Sequence, residues 1–330
     1  MPPPETALER AEELAERVVG ARTAKRRMLV IVNPYASTVS DRLKNLVVYA
    51  LQGRYEVDAI DTEAKAHATE LCREAASEGY DVVVAFGGDG TVNEAANGLA
   101  GSDTPLTALP GGSTNVFCRT LGVPNDVVDA TEHLLGMADR FQPSRIDLGR
   151  AGERYFTFAA GVGLDASVVE RVDRHPSLKA RAGEWYFTAT ALTTFAQRYA
   201  IRAPRVRVEA GDRTLEGITA IVQNSDPYTF FATHPIRVCT GADSRNGTLS
   251  AAVLKRATPF EAPTLIARIF GGGPESVANH RQVEPLEGLR ELRIASTDDR
   301  RFPLQLDGDH VGDFAEIDLG VRPLALPVVS

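Results

Sequence analysis

The clearest pattern in the chain is a run of apolar residues followed by a glycine turn. Residues 81–86 read DVVVAF, and such a run of β-branched residues is typical of a strand buried on both faces of a parallel sheet. The sequence GGDG follows at 87–90, and after it come Thr91 and Glu94. Thr91 and Glu94 have the spacing of a capping box, in which each side chain binds a free amide at the start of a helix. The stretch therefore predicts a strand, a glycine turn and a helix start.

Apolar runs and helical periodicity extend this unit in both directions. We predict strands over 28–33, 55–60 and 106–109, and helices over 37–51, 64–78 and 126–138, with a short helix through Arg119. The order β-α-β-α-β-α predicts a doubly wound parallel sheet with helices on both faces, which makes a three-layer α/β domain.

After about residue 141 the pattern changes to short strands that are separated by turn residues. Strands are predicted within 154–160, 205–210, 217–224, 247–254 and 302–306, and two helices over 178–198 and 262–270. This pattern favours a β-sandwich-like C-terminal domain. We therefore predict a helical extension over 1–27, an α/β domain over 28–140, and a β-rich domain over 141–317. The α/β domain is joined by a C-terminal strand at about 318–330.

Composition narrows the functional classes. The chain has 330 residues, of which 43% are apolar and 24% charged, which suits two globular cores. A net charge of −8 argues against a nucleic-acid partner. Its three cysteines are far apart, which fits a reducing cytoplasm. No apolar run approaches the length of about 20 residues that a membrane span needs, so any membrane contact is expected to be peripheral.

The N-terminal segment has two interpretations. Apolar residues at positions 8, 11, 14, 15 and 18 fall on one face at helical spacing. One interpretation is a helix packed on the body of the protein or on a partner chain, as in a homodimer. The other is a helix on a membrane surface, although its four glutamates at 9, 12, 13 and 16 would repel anionic lipid.

Two small-residue turns are predicted at the same end of the α/β sheet. The first is GGDG (87–90), and the second is PGGSTN (110–115), where Ser113 and Thr114 offer hydroxyl groups. Backbone amides at a helix start, together with the helix dipole, favour a bound anion. Asp89 would repel a phosphate unless a cation lies between them or a hydrogen bond turns the carboxylate away, so its presence suggests a Mg²⁺-nucleotide. A plain tight turn between strand and helix is the alternative.

A further turn near the end of the chain carries two carboxylates. Asp307 and Asp309 flank Gly308 directly after a predicted strand. An ordinary Asp-Gly hairpin accounts for this pattern, and an acidic catalytic group is the second interpretation.

Four motifs occur in an order that matches one family. GGDGTVNE (87–94), the Asn33-Pro34 turn, PGGSTN (110–115) and the late DGD (307–309) together resemble the diacylglycerol kinase catalytic family. That family includes soluble bacterial lipid kinases and sphingosine kinases. The resemblance covers about residues 28 to 325. It implies transfer of the γ-phosphate of ATP, with Mg²⁺, to a lipid hydroxyl, most often that of diacylglycerol to give phosphatidic acid.

The resemblance also implies roles for individual residues. Nucleotide contacts are expected at Asn33, Pro34, Tyr35, Ala36, Ser37, Thr62, Gly87, Gly88, Asp89, Gly90, Thr91, Val92, Asn93, Ser113 and Thr114. Asp309 is expected to be the general base, one methylene shorter than the glutamate usual in the family. Asp89 is expected to be the second catalytic carboxylate and to bind Mg²⁺ together with the nucleotide.

Two other positions depart from the family pattern. A metal-binding loop is implied at Asp243 and Asn246, but Asn246 stands where the family usually has aspartate, which predicts a weak site. Val116 follows PGGSTN where the family commonly has an acidic residue.

The expected partner is a lipid substrate at the inner face of a membrane, approached from the cytoplasm. Candidate contacts are Pro227–Phe231 and a helix that contains Arg171, Arg174, Lys179, Arg181, Trp185, Tyr186 and Phe187. Ordinary core packing of these aromatic residues is the alternative. Two other functions stay open: an NAD-kinase-like small-molecule kinase, which shares GGDG, and a non-catalytic nucleotide- or lipid-binding protein.

Overall fold

We describe the protein from a computed structural model of the 330-residue chain. The structure describes residues 25–163, 166–167, 205–256, 258, 261–271, 273–298 and 300–330. The predicted helices over 1–27 and 178–198, and the candidate lipid contacts between 171 and 187, lie outside or almost wholly outside these residues.

The first half of the chain alternates strands and helices as predicted. Its elements are β1 (Arg26–Val32), α1 (Asp41–Leu51), β2 (Tyr55–Asp61), α2 (His67–Glu78), β3 (Val82–Gly87), α3 (Asp89–Leu99), β4 (Leu106–Pro110), α4 (Val116–Thr120) and α5 (Val127–Met137). The four strands are parallel in the order β2-β1-β3-β4. Because right-handed crossovers run in both directions from β1, they put α1 on one face of the sheet and α2 and α3 on the other. The doubly wound three-layer fold is therefore confirmed.

The remaining strands build two packed sheets. They are β5 (Ser144–Ala151), β6 (Arg154–Phe156), β7 (Ala159–Gly163), β8 (Val206–Ala210), β9 (Arg213–Gly217), β10 (Thr219–Gln223), β11 (Thr229–Phe231), β12 (His234–Ile236), β13 (Leu249–Leu254), β14 (Val283–Leu289), β15 (Glu291–Ser296), β16 (Phe302–Leu306), β17 (Asp309–Phe314) and β18 (Glu316–Val328). Two helices, α6 (Ala262–Gly271) and α7 (Gly273–Ala278), separate β13 from β14.

A six-stranded sheet in the order β14-β13-β10-β7-β16-β17 forms one layer of the C-terminal half. Its apolar side chains share a core with those of β6, β8, β15 and β18. Residues such as Val162 and Leu304 on one layer and Val208 and Ile294 on the other are no more than 1% exposed. This packing of two sheets over one apolar core confirms the β-sandwich-like fold.

Strand β18 connects the two halves of the molecule. It pairs antiparallel with β15 and β5, and its last residue, Val328, pairs in parallel with Leu106 of β4. A single ten-stranded sheet results, with β8 and β9 beyond β15. The division of the chain into domains at 140/141 stays a prediction, because β5 (144–151) belongs to this continuous sheet through β18.

Helices α1 and α2 begin later than the apolar pattern predicted. Helix α1 starts at Asp41 rather than at residue 37, because the Ser40 side chain accepts a hydrogen bond from the Leu43 N–H and caps the helix. Helix α2 starts at His67 rather than at residue 64, after Ala66 takes a left-handed conformation with φ 68°. In both cases the extra residues form the loop after a strand. No helix in the described ranges is long and apolar enough to cross a membrane.

Candidate active site

The turns that follow β1, β3 and β4 meet at one edge of the parallel sheet. The Gly111 N–H donates to the Gly87 carbonyl at 2.9 Å, and the Thr38 N–H donates to the Gly111 carbonyl at 3.2 Å. The Asn33 N–H donates to the Phe86 carbonyl at 2.9 Å. The structure thus brings together the three turns that the sequence predicted separately.

The glycines of the two small-residue turns allow the backbones to touch. A Cβ on Gly111 would lie 2.8 Å from the Gly87 Cα, and a Cβ on Gly112 would lie 2.9 Å from the Gly88 Cα. Side chains at either position would force the turns apart. These glycines therefore allow the close contact between the two turns.

Asn33 holds its own turn and reaches the next one. Its Oδ1 accepts from the Tyr35 N–H at 3.0 Å, and its Nδ2 donates to Thr91 Oγ1 at 3.1 Å. Pro34, Tyr35 and Ser37 are exposed beside it, and Ala36 is half-buried. The turn that the sequence assigned to nucleotide contact therefore lies at the site with most of its surface open.

Thr62 lies one strand further along the same edge. Its N–H donates to the Val32 carbonyl at 2.8 Å, just beyond the end of β2. Its side chain is half-buried. The structure places it next to the Asn33 turn, on the side away from the glycine turns.

The predicted capping box at Thr91 and Glu94 is wrong. Helix α3 begins two residues before Thr91, at Asp89, with Gly88 as N-cap and no side chain capping it. The Thr91 hydroxyl instead accepts from Asn33, and the Glu94 carboxylate accepts from the Ala66 N–H at 2.8 Å. No N-cap side chain therefore covers the start of α3, and amides at a helix start favour a bound anion such as a nucleotide phosphate.

Asp89 joins the two glycine turns. Its Oδ1 accepts from the Phe117 N–H at 3.2 Å, at the start of α4. Burial raises the pKa of this carboxyl to about 6, with the charges of Asp307 and Asp309 adding to the rise and the amides of Val116 and Phe117 opposing it. The hydrogen bond from Phe117 turns one oxygen of Asp89 away from the expected phosphate position. Asp89 can therefore lie beside a bound phosphate with less repulsion.

Asp309 reaches this site from the other half of the chain. Asp307 and Gly308 both have positive φ, 50° and 84°, and form a tight turn between β16 and β17. A Cβ built on Gly90 would lie 2.5 Å from Asp309 Oδ2, so the carboxylate lies against the first turn of α3. The structure therefore brings together Asp309, Asp89 and the glycine turns.

Asp307 lies two residues before Asp309, and the sequence did not predict a role for it. It is 2% exposed, and its carboxylate accepts hydrogen bonds from Asn93, Thr157, Phe158 and Ala159. Burial raises the pKa of Asp307, and these hydrogen bonds oppose the rise. No local signal distinguishes Asp307 from Asp309, since both flank Gly308 in the same turn.

Asn93 lies inside the protein rather than at its surface. It is 2% exposed, and its Nδ2 donates to Asp307 Oδ2 at 2.8 Å and to the Tyr155 carbonyl at 3.0 Å. Val92, beside it, is 1% exposed. Nucleotide contact through these two residues stays a prediction, and their side chains join α3 to the β-rich half and to the core.

The second glycine turn is held by Asn115, its last residue. Asn115 has φ 51°, accepts from the Gly112 N–H at 2.9 Å and donates to the Gly112 carbonyl at 2.8 Å. Ser113 is exposed and Thr114 half-buried at the tip of the turn. Both hydroxyl groups therefore lie on the outer side of a turn that is fixed from within.

The hydrogen bonds of the predicted metal loop do not fit a Mg²⁺ site. Asn246 Oδ1 accepts from Thr248 N–H and hydroxyl at 2.9 and 2.8 Å, and its Nδ2 donates to the Gly241 carbonyl at 3.1 Å. Asp243 Oδ1 accepts from the Arg245 N–H at 3.0 Å. A Mg²⁺ ligand must present oxygen, whereas Asn246 presents nitrogen to the carbonyl. Across the described residues no group of three or more His, Cys, Asp or Glu side chains could hold a metal ion.

The aromatic run at 227–231 lies between α4 and α6. The Arg119 guanidinium stacks over the Phe230 ring at 4.3 Å, and its Nη1 donates to the Ala232 carbonyl at 2.9 Å. Phe231 meets Phe270 edge to face, with the ring centroids 5.5 Å apart. Both Phe230 and Phe231 are half-buried. The hairpin β11–β12 therefore contacts the helix that follows PGGSTN.

Comparison with known protein families accounts for both halves of the chain. A family model described as "Diacylglycerol kinase catalytic domain" matches residues 27–151. A second, described as "YegS C-terminal NAD kinase beta sandwich-like domain", matches residues 159–330.

Individual relatives agree with this result. A protein named "Putative lipid kinase" from Streptococcus pneumoniae serotype 4 is 25% identical over 295 residues, covering 86% of this chain and 91% of the relative. A "Diacylglycerol kinase" from Bacillus subtilis is 38% identical over 115 residues, or 34% of this chain and 37% of the relative. One from Staphylococcus aureus is 29% identical over 198 residues, or 58% and 60%.

A solved structure shares the fold across almost the whole chain. The crystal structure of a putative diacylglycerol kinase from Bacillus anthracis superimposes with a TM-score of 0.72 at 24% identity, covering 94% of this chain and 96% of the other. At this identity the likeness establishes the fold.

Proposed function

Because the chain belongs to the diacylglycerol kinase catalytic-domain family of kinases, we propose that it transfers the γ-phosphate of ATP to a lipid hydroxyl. Diacylglycerol is the proposed acceptor and phosphatidic acid the product. The observation that carries this proposal is the meeting of Asp309 with the start of α3, whose N-cap is Gly88. A carboxylate at that place can accept the proton of a hydroxyl group while this hydroxyl attacks a phosphate held by the helix amides.

In this mechanism the protein mainly positions groups and balances charge. ATP would supply the phosphoryl group, and Mg²⁺ bound with it would neutralise charge on the phosphates. The amides of the GGDG turn and of α3 hold phosphate oxygens, and the Asn33 and PGGSTN turns border them. Asp89 fixes α4 against the GGDG turn, and its carboxylate would be the protein ligand of the metal. Asp309 accepts the proton of the acceptor hydroxyl.

The test is transfer of labelled phosphate from ATP to a panel of lipids in mixed micelles with Mg²⁺. Diacylglycerol, monoacylglycerol, a sphingoid base and a polyprenol form the panel. Asp309→Ala is expected to lower kcat by about 10²–10⁴-fold, the usual contribution of a general base. Asp313→Ala, which removes an exposed carboxylate from the same strand, serves as the matched control with unchanged kcat.

The outcomes of this assay test the kinase reaction and the role of Asp309 as general base separately. Label on one lipid, lost in Asp309→Ala and retained in Asp313→Ala, supports both the reaction and the base. Transfer that persists in Asp309→Ala would contradict the base alone. Absence of labelled lipid despite ATP binding would contradict the kinase proposal and favour a non-catalytic binding protein.

NAD kinase activity is a second candidate, because the family that matches the C-terminal half is described as NAD kinase beta sandwich-like. The same labelled ATP, offered with NAD in place of lipid, distinguishes the two. We expect label on lipid, since the GGDG turn continues directly into TVNE and the DGD turn supplies an acid at the site. Label on NAD alone would reverse the assignment.

A lipid acceptor requires contact with a membrane, and we propose a peripheral one at its inner, cytoplasmic face. The hairpin β11–β12 supports this proposal, because its half-buried Phe230 lies beside α4 and so near the candidate site, and Phe231, next to it, is half-buried against α6. The combined Phe230→Ser/Phe231→Ser variant is expected to lose sedimentation with diacylglycerol-containing vesicles. Unchanged sedimentation of a folded variant would remove this hairpin from the membrane contact.

A further inference from the structure

Helix α3 and the β16–β17 turn touch at two points one helical turn apart. Gly90 lies against Asp309 Oδ2, and Asn93 donates to Asp307 Oδ2 at 2.8 Å. Gly90 and Asn93 are three residues apart on α3 and so lie on one face. Asp307 and Asp309 bracket Gly308. The Asn93–Asp307 hydrogen bond therefore fixes the distance between α3 and the turn at which Asp309 meets Gly90.

The Asp307 carboxylate is fully engaged by the protein. Its Oδ2 accepts from the Thr157 N–H at 2.6 Å and the Thr157 hydroxyl at 2.9 Å, besides Asn93. Its Oδ1 accepts from the N–H groups of Phe158 at 2.9 Å and Ala159 at 3.1 Å. Since the side chain is 2% exposed, neither oxygen can meet a substrate. Asp307 therefore acts on the reaction without touching the substrate, and its hydrogen bonds give it hold of the position of its neighbours.

We propose that Asp307 is a positioning residue for phosphoryl transfer, which holds the β16–β17 turn so that Asp309 lies at the first turn of α3. This inference rests on the proposed function. A misplacement of a catalytic group by about 1 Å can lower a rate by about 10²-fold. Asp309 has a short side chain, and the place of its carboxylate follows directly from the backbone of this turn.

An asparagine cannot replace Asp307, although the two side chains have the same size. In one orientation its NH₂ would face the N–H groups of Phe158 and Ala159, and in the other it would face those of Thr157 and Asn93. In either orientation the NH₂ group of the asparagine would face at least two N–H groups of the protein, which would then have no acceptor. The turn is then expected to move away from α3.

The test compares Asp307→Asn with Asp313→Asn, an exposed aspartate on β17, in the full-length protein. Transfer to diacylglycerol in mixed micelles with Mg-ATP is measured per nucleotide-binding site. We expect Asp307→Asn to lower kcat by about 10²-fold. KM for ATP should stay unchanged, because the hydrogen bonds of the Asp307 carboxylate go to Asn93 and to residues 157–159 and not to the GGDG or PGGSTN turn. Asp313→Asn should change neither. A kcat for Asp307→Asn equal to that of the wild type would overturn the proposal.

A second readout does not depend on activity. Hydrogen exchange of the 308–311 amides is expected to speed up in Asp307→Asn, while the 83–86 amides of β3 keep their wild-type protection. Unchanged exchange at 308–311 would overturn the proposal even if no lipid is labelled. Failure of wild-type transfer contradicts the proposed function alone, and exchange then decides whether Asp307 holds the turn.

A milder variant keeps the test valid if Asp307→Asn does not fold. Thr157→Val removes only the hydroxyl donor to Oδ2 and nearly preserves side-chain volume. We expect it to lower kcat in the same direction but by less, again with KM for ATP unchanged. A folded Thr157→Val protein with faster 308–311 exchange and full kcat would contradict the positioning role.

Discussion

At the scale of single residues, the candidate site depends on how closely two chain segments approach. Gly90 has no side chain, and only for that reason can the Asp309 carboxylate reach the start of α3. Asp89 accepts a hydrogen bond from the start of the next helix, and Asp307 accepts hydrogen bonds from the buried groups that surround it. Three carboxylates near one another thus have three different tasks, which their contacts rather than their residue type determine.

Gly90→Ala tests whether Asp309 must lie at this distance. The added methyl group would fall 2.5 Å from Oδ2, so the carboxylate must move away from α3. We expect kcat for lipid phosphorylation to drop by about 10²-fold while ATP still binds. Gly136→Ala is the matched control, because Gly136 is also helical but a methyl group there would have open space around it. It should keep full kcat and gain at most about 1 kcal/mol in stability. Equal kcat in both variants would contradict the close approach of Asp309.

Asp89 predicts a dependence of stability on pH. Its pKa is raised by burial from 3.8 to about 6, so between these values the folded state binds a proton that the unfolded state has released. Stability contributed by this group is therefore lost as pH rises through that window, by about 1.4 kcal/mol per unit of pKa difference.

Asp89→Asn measures this effect, since the amide stays neutral and its oxygen can still accept from Phe117. We expect the urea midpoint of the variant to exceed that of the wild type at pH 7 and to match it near pH 4. A constant difference between the two proteins across this range would contradict the raised pKa.

At the scale of elements, strands were predictable and helix starts less so. Buried runs such as 82–86 are apolar on both faces, so their pattern is visible without any partner. Thr91 does not cap α3 as predicted, because its hydroxyl binds Asn33, 58 positions earlier. For the same reason the sequence could not separate Asp307 from Asp309. The groups that donate hydrogen bonds to Asp307 lie 148 to 214 positions away.

Hydrogen bonds of Asn246 close the loop at 243–248, where the sequence predicted a weak cation site. Asn246 closes the loop through its amide, and Asp147, which is fully buried, accepts from the Gly247 N–H at 2.7 Å. We expect thermal unfolding of the nucleotide-free protein to be the same in Mg²⁺ and in EDTA.

Asn246→Asp should reverse this behaviour. The new carboxylate would repel the Gly241 carbonyl, so Tm should fall in EDTA and recover in Mg²⁺ by mass action. Asn246→Ala is the control for Mg²⁺ bound elsewhere. A rise in wild-type Tm with Mg²⁺ that Asn246→Ala abolishes would show that the loop binds a cation after all.

At the scale of the whole molecule, β18 makes one sheet out of both halves and supplies side chains to the α/β core. Ala325, Leu326, Val328 and Val329 lie in the core of the α/β half, while Leu319 lies in the core of the sandwich. Asn93 and Asn97 of α3 bind the Tyr155 backbone across the same junction, with bonds of 2.9 to 3.0 Å. The geometry of the candidate site is therefore fixed by a shared strand and by hydrogen bonds between the halves.

This architecture predicts that the two halves unfold together. Leu326→Ala opens a cavity in the α/β core, and Leu304→Ala opens one in the sandwich core; both side chains are no more than 1% exposed. Each should destabilise the protein by about 2–5 kcal/mol. Because β18 couples the cores, each variant should speed hydrogen exchange by global unfolding in both β1 and β13. If Leu326→Ala affected β1 alone and Leu304→Ala affected β13 alone, the halves would be independent units, and the position of Asp309 against α3 would depend on their docking rather than on a common fold.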